Sequence, residues 1–159
     1  MARKQKQPGC SSAYDTALRF LTPKARTVRE VELKLDEGSY SEGEIMQTVE
    51  RLIEAGLLND EKYARDFIES RLSTKPVSRF RLSEQLKAHH IPSDIIEAAL
   101  SELESGAELE NAKQVAKKFL RQFENTPEEE RLRRVYTRLQ TRGYSHETIM
   151  RAIREASEE

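Results

Sequence analysis

The side chains in this sequence whose types could do chemistry are few and scattered. His89 and His90 are adjacent, His146 stands far downstream, Cys10 is the single thiol, and Asp60 and Glu61 form an adjacent acidic pair. A zinc site needs three or four Cys, His or carboxylate ligands at short regular spacings, and the sequence holds no such set. General acid–base work needs an imidazole or carboxylate with a partner that tunes it. Here His89-His90 fall where a turn is expected. Asp60-Glu61 fall where a helix begins, a position that favours acids through the helix dipole. No phosphate-cradling glycine loop, HExxH, GxSxG or CxxC occurs. Enzymatic activity, a bound metal and an organic cofactor are therefore not expected.

Charge is distributed more informatively. The 159 residues carry 27 Lys and Arg against 28 Asp and Glu, a formal net charge of -1. That sum hides unlike parts. Residues 1–30 hold seven basic and two acidic side chains, whereas residues 31–70 hold four basic and eleven acidic. From residue 111 to 142, Lys113, Lys117, Lys118, Arg121, Arg131, Arg133, Arg134, Arg138 and Arg142 face only four glutamates. Arg71, Lys75, Arg79, Arg81 and Lys87 add to the middle of the chain. Twelve of these are candidate binding residues: Arg71, Lys75, Arg79, Arg81, Lys113, Lys117, Lys118, Arg121, Arg131, Arg134, Arg138 and Arg142. Such a stripe suits phosphates or an acidic protein groove. Base reading is not expected, because GEIMQTVERLIEA and SDIIEAALSELES are acidic and poor in the side chains that read base edges.

The elements that must position these groups are helical. Glycines and prolines fall between runs of 3.6 periodicity, and strand-length alternation is absent. A first helix carries Ala13, Ala17, Leu18 and Leu21. Thr27 and Glu30 form a capping box before Val28, Val31 and Leu35, and Gly38 stops that helix. Ser41 starts a third with Ile45, Val49, Leu52 and Ile53 facing inward. A second set follows: Tyr63, Ala64, Phe67, Ile68 and Leu72; then Phe80, Leu82 and Leu86; then, opened by Pro92 in its first turn, Ile95, Ile96, Ala99, Leu100 and Leu103. The last set has Val115, Ala116, Phe119, Leu120 and Phe123; a helix started by Thr126-Pro127 and ended by Gly143; and one bearing Ile149, Met150 and Ile153.

The three sets are internal repeats. Leu35, Leu86 and Leu139 stand 51 and 53 residues apart, and each is followed five residues later by Tyr40, Ile91 or Tyr144 and ten later by Ile45, Ile96 or Ile149. This predicts an all-α fold, an elongated tandem array of three three-helix repeats. The units span residues 13–58, 59–106 and 107–159, the first acidic and the third with a basic second helix, after a flexible arm over 1–12. With 36% apolar residues, neighbouring units are expected to share buried area. No signal peptide or membrane span is present, so a soluble cytoplasmic monomer is expected.

The run Gly56-Leu57-Leu58-Asn59-Asp60-Glu61-Lys62-Tyr63-Ala64-Arg65-Asp66-Phe67-Ile68-Glu69-Ser70-Arg71 resembles the RecX family of bacterial regulators of the RecA recombinase. Thr27 to Leu35 and the late Leu139-Gln140-Thr141-Arg142-Gly143-Tyr144 turn resemble it too. Asp60, Glu61, Tyr63, Ala64, Gly143 and Tyr144 are the family-motif positions, and the likeness covers about residues 13–156. The sequence departs from the pattern twice. Thr74-Lys75-Pro76-Val77 and His89-His90-Ile91 replace a Lys-Gly-Pro-like entry and a Lys-Gly-Ile-like turn.

The resemblance implies a non-catalytic regulator in recombination, DNA repair and the SOS response. It would lie in the helical groove of the RecA–DNA filament, hinder ATP hydrolysis and strand exchange, and promote disassembly, with DNA phosphates as a secondary partner. Two alternatives stand beside it: a helical-repeat protein that binds DNA through phosphates, and a helical-repeat adaptor for another protein.

Overall fold

The computed structural model describes residues 12–159. The arm expected over 1–12, with Cys10, lies outside the described residues except for Ser12. Those residues form nine α-helices and no strand: α1 (Ala13–Leu21), α2 (Val28–Glu37), α3 (Glu42–Glu54), α4 (Asp60–Thr74), α5 (Arg79–Ala88), α6 (Ser93–Ser101), α7 (Ala107–Gln122), α8 (Glu128–Thr141) and α9 (His146–Glu158). Within each consecutive set of three, every helix packs on the other two, and side-by-side packing is confined to the sets.

Local chemistry sets the helix starts. Ser12, Thr27, Ser41, Asn59, Ser78 and Ser145 each accept, through a side-chain oxygen, the backbone N–H three residues ahead. Thr27 and Glu30 form the full capping box, with Glu30 accepting from the Thr27 N–H at 3.0 Å. Pro92 and Pro127 stand at the N-cap itself, one residue earlier than a first-turn proline, and supply no side-chain cap. The start expected at Thr126 thus moves on by one.

The copied turn is a Schellman motif. Tyr40, Ile91 and Tyr144 donate their N–H groups to the carbonyls of Leu35, Leu86 and Leu139, at 3.5, 3.2 and 3.4 Å. The residue before each anchor is left-handed: Ser39 at φ +63°, His90 at +63° and Gly143 at +89°. Gly38 is therefore not the left-handed stop that its position in the sequence suggests. It sits one residue earlier, where an added Cβ would come within 2.8 Å of the Tyr40 ring. The missing middle-unit glycine leaves the turn intact, with exposed His90 taking the strained conformation. His90→Gly is expected to raise stability by roughly 0.5–1 kcal/mol, relief of the left-handed penalty outweighing the extra freedom of the unfolded chain. A thermal melt of the variant beside the parent checks it, and an unchanged or lower midpoint would contradict it.

Three separate cores result, one per set of helices. The expectation that neighbouring units share buried apolar area is not met; each unit closes its own core. Leu35, Leu52, Leu82, Leu86, Leu139 and Ile149 are fully buried. Ile53, Phe80 and Met150, placed on inward stripes from periodicity, are instead 49%, 66% and 50% exposed. Ile53 and Met150 each follow a fully buried residue (Leu52, Ile149), and Phe80 stands nearly opposite buried Leu82 on α5; in a three-helix unit the apolar face is narrower than the run of apolar residues.

Polar helix ends join the units. Thr27 Oγ1 donates to the His89 carbonyl at 2.8 Å, and Val28 N–H donates to Asp60 Oδ1 at 3.0 Å. One repeat further on, Ser78 N–H donates to the Arg142 carbonyl at 3.0 Å, and Arg79 N–H to Glu108 Oε1 at 3.0 Å. So the starts of α2 and α5 sit on the ends of α5 and α8, positive dipole end against negative. An acid from the following first helix caps it. Asp60, read from sequence as serving its own helix, serves the preceding unit's.

Candidate interaction surface

The junctions decide which basic side chains remain available. Arg142 is 9% exposed; its Nη1 donates to the Pro76 carbonyl at 2.9 Å, and its guanidinium lies 5.5 Å from the Phe119 ring centre. Burial, opposed by Tyr144 and reinforced by Arg138, lowers its pKa. Arg79 closes the end of α6 by donating to the carbonyls of Leu100, Leu103 and Glu104. Arg81 donates to the Thr141 carbonyl and to Glu84. Arg131 is half-buried, with its Nε lacking a hydrogen-bond partner among the described residues. These four arginines are built into the unit 2–unit 3 junction or the interior.

Lys113 and Lys117 are engaged as well. Lys113 reaches Glu159 at 3.2 Å and both Glu155 and Glu110 at 3.7 Å, while Lys117 pairs with Glu159. A hydrogen bond from Arg151 holds the Glu155 carboxyl below its ordinary value, and bonds from Lys117 and Lys113 do the same for Glu159. The pairs tie α7 to the end of α9.

What is left lies on α7 and α8 and at the α4–α5 turn. Lys118, Arg121, Arg133 and Arg138 carry no ion pair among the described residues. Arg134 shares Glu130 at 2.5 Å. Phe123, Arg133, Arg134, Thr137, Arg138 and Thr141 line a shallow groove with Glu130. Phe119 and Phe123 stack beneath it at 6.2 Å, with Arg138 and Arg134 over their rings at 5.4 and 5.5 Å. The Arg142–Pro76 bond brings the α4–α5 turn, with exposed Lys75, against the end of α8. Arg71, over Phe67 at 5.4 Å, lies one turn back on α4. The twelve candidate cations thus separate into three that bind helix ends within unit 2 or at its junction with unit 3 (Arg79, Arg81 and Arg142), two that brace unit 3 internally (Lys113 and Lys117), the half-buried Arg131, and six that face outward. Arg133, with Phe123, joins Arg134 and Arg138 in the groove; the charge run signals Arg133, but nothing in periodicity singles it out.

Most motif positions are architectural. Ala64 is fully buried, Tyr144 is 4% exposed, and Tyr63 packs 5.7 Å from His89 within unit 2, tying the start of α4 to the end of α5. Burial, helped by Glu30 and Glu32 and opposed by the Val28 N–H, raises the Asp60 carboxyl. Burial pushes Glu30 the same way, but bonds from Thr27 and His89 bring it below its ordinary value. Glu61 is exposed on the first turn of α4.

Among the described residues no group of three or more His, Cys, Asp or Glu side chains could hold a metal, and no helix is long and apolar enough to cross a membrane. Fold and surface define a protein of tandem three-helix repeats joined by capped helix ends and carrying one cationic face. Its three parts match, in order, the first, second and third three-helix domains of RecX, over residues 13–52, 59–100 and 107–153. The chain belongs to the RecX family of regulatory proteins. It is 32% identical over 143 residues to the Regulatory protein RecX of Prosthecochloris aestuarii, covering 90% of this chain and 92% of that one. With the Streptomyces coelicolor protein of the same name it shares 31% identity, over 89% of this chain and 76% of that one. The crystal structure of RecX from Lactobacillus salivarius superimposes with a TM-score of 0.79 at 25% identity, over 92% of this chain and 96% of that one.

Proposed function

We propose that this regulator binds a RecA–DNA filament in its helical groove, slows ATP hydrolysis and strand exchange, and promotes disassembly. Membership of a family of regulatory proteins supports a macromolecular partner, and RecA is the partner this reading assigns. The observation that carries the reading is the outward cationic face running from α7–α8 onto the α4–α5 turn, on an array whose first unit has the opposite sign. A face of that sign suits the phosphates and acidic surfaces of a nucleoprotein groove, and the sign change along the array gives the bound protein one orientation. Separate cores joined end to end let one chain touch several filament subunits, so that weak contacts add.

RecA's DNA-dependent ATPase, measured with substoichiometric and stoichiometric amounts of this protein, tests the reading; an unchanged rate at both would end it. Changing Arg133, Arg134 and Arg138 together to Glu is expected to weaken filament binding by on the order of tenfold or more at low salt, leaving helicity intact. Unchanged affinity would make this face solvated surface only. Tighter binding to bare DNA than to the filament would favour the DNA-binding reading.

A further inference from the structure

The first unit carries a surface that the cationic face does not explain. Between the outer sides of α2 and α3 runs a groove whose floor is Leu33, Ile45, Met46 and Val49. Leu33 is 36% and Met46 61% exposed, although both are large apolar side chains. Glu32, Asp36, Glu42 and Glu50 rim the groove. Arg29, its one cation, is spent on Glu32 at 3.1 Å. Asp36, Glu42 and Glu50 have no ion pair among the described residues.

The repeat shows that folding does not require this pattern. Residues 51 and 104 positions further on occupy the same places in the other units. Where unit 1 has Glu32, Asp36, Glu42 and Glu50, unit 3 has Tyr136, Gln140, His146 and Arg154. Where unit 1 has Leu33 and Met46, unit 2 has Glu84 and Glu97. The same three-helix unit thus forms without the acids and without the exposed apolar pair.

We infer that the α2–α3 groove of unit 1 is a docking site for a segment of the RecA protein that bears Lys or Arg around an apolar anchor. The inference rests on the filament-binding reading and adds the surface and the chemistry of its protein contact. Four carboxylates repel DNA phosphates and anionic lipid, so the occupant is protein and its charge is positive. Met46 supplies the adaptable apolar contact, since its unbranched side chain reshapes around an incoming group. Binding is then divided along the array: unit 1 grips protein, and the α7–α8 face meets phosphates and acidic groups.

Two variants test this by independent routes, because all the altered positions reach solvent. Leu33→Ser with Met46→Ser removes the anchor contact and keeps every charge. Asp36→Asn with Glu42→Gln and Glu50→Gln removes three carboxylates and keeps the apolar floor. Affinities for a RecA–single-stranded DNA filament and for the bare oligonucleotide are measured at physiological salt, with circular dichroism on each variant. The expected result is at least a tenfold loss of filament affinity for both variants. Affinity of the serine variant for the oligonucleotide stays within twofold of the parent's. Parent-like filament affinity in both variants overturns the docking site while leaving the filament reading standing. A parent protein that does not prefer the filament over the oligonucleotide overturns both.

Discussion

Tyr144→Ala is expected to destabilise unit 3 by about 3–5 kcal/mol, a loss of the size seen when large aromatics leave a packed core. The ring is 4% exposed and joins the cluster that holds Val135, Leu139 and Ile149, where α7, α8 and α9 meet. Its hydroxyl has no hydrogen-bond partner among the described residues, and burial pushes its pKa far up. Tyr144→Phe should therefore be neutral or stabilising, because it removes a buried polar group that folding leaves unsatisfied. Tyr40, its counterpart in unit 1, is half-buried and shares a 2.7 Å hydrogen bond with Thr16. There the order changes: Tyr40→Phe costs about 1 kcal/mol, and Tyr40→Ala costs less than Tyr144→Ala. Denaturant unfolding of the four variants checks the set. A Tyr144→Ala loss below about 1 kcal/mol would remove that ring from the core.

The contrast between the tyrosines shows where the sequence stops being legible. Leu35, Leu86 and Leu139 with their partners five residues on announced the repeat, because a Schellman turn needs a fixed number of residues between the helix carbonyl and the anchor that caps it. The starts of α2 and α3 were legible for the same local reason: as caps, Thr27 and Ser41 accept only from their own next turn. Junction contacts were not. Thr27 and His89 are 62 residues apart, and Arg79 and Glu108 are 29 apart, so no periodicity relates them. Asp60 looked like an ordinary first-turn acid because that role and the capping of α2 demand the same residue in the same place. The cationic candidates failed to separate for a like reason. Arg138 and Arg142 are one helical turn apart, yet the first faces solvent and the second bonds the Pro76 carbonyl. Which of two adjacent arginines a neighbouring unit takes up is set by the angle between units, and composition carries nothing about that angle.

Gly143→Ala puts that angle to the test, and the expected loss is about 2–5 kcal/mol. Two terms contribute. The left-handed backbone at φ +89° costs a residue with a Cβ roughly 1–2 kcal/mol. The new Cβ would also lie 2.5 Å from Ser78 Oγ and 3.1 Å from the Cβ of Arg81, both in the preceding unit, and crowding of this kind costs about 1–3 kcal/mol. Ser39 and His90 occupy the same place in the other turns and tolerate a side chain, so the turn alone does not demand glycine; the close approach of α5 does. The strain is relieved most readily by parting units 2 and 3, which loosens the Ser78–Arg142 and Arg79–Glu108 bonds because each separate core can stay closed. Hydrogen exchange at the Ser78 and Arg79 amides should then quicken more than exchange in the middle of α5 or α8. Filament affinity should fall even though Lys75, Arg134 and Arg138 are all still present, because their relative placement is lost. Uniformly faster exchange throughout unit 3 would instead mean that Gly143 matters only to its own turn, and unchanged filament affinity would mean that the two parts of the cationic face act separately.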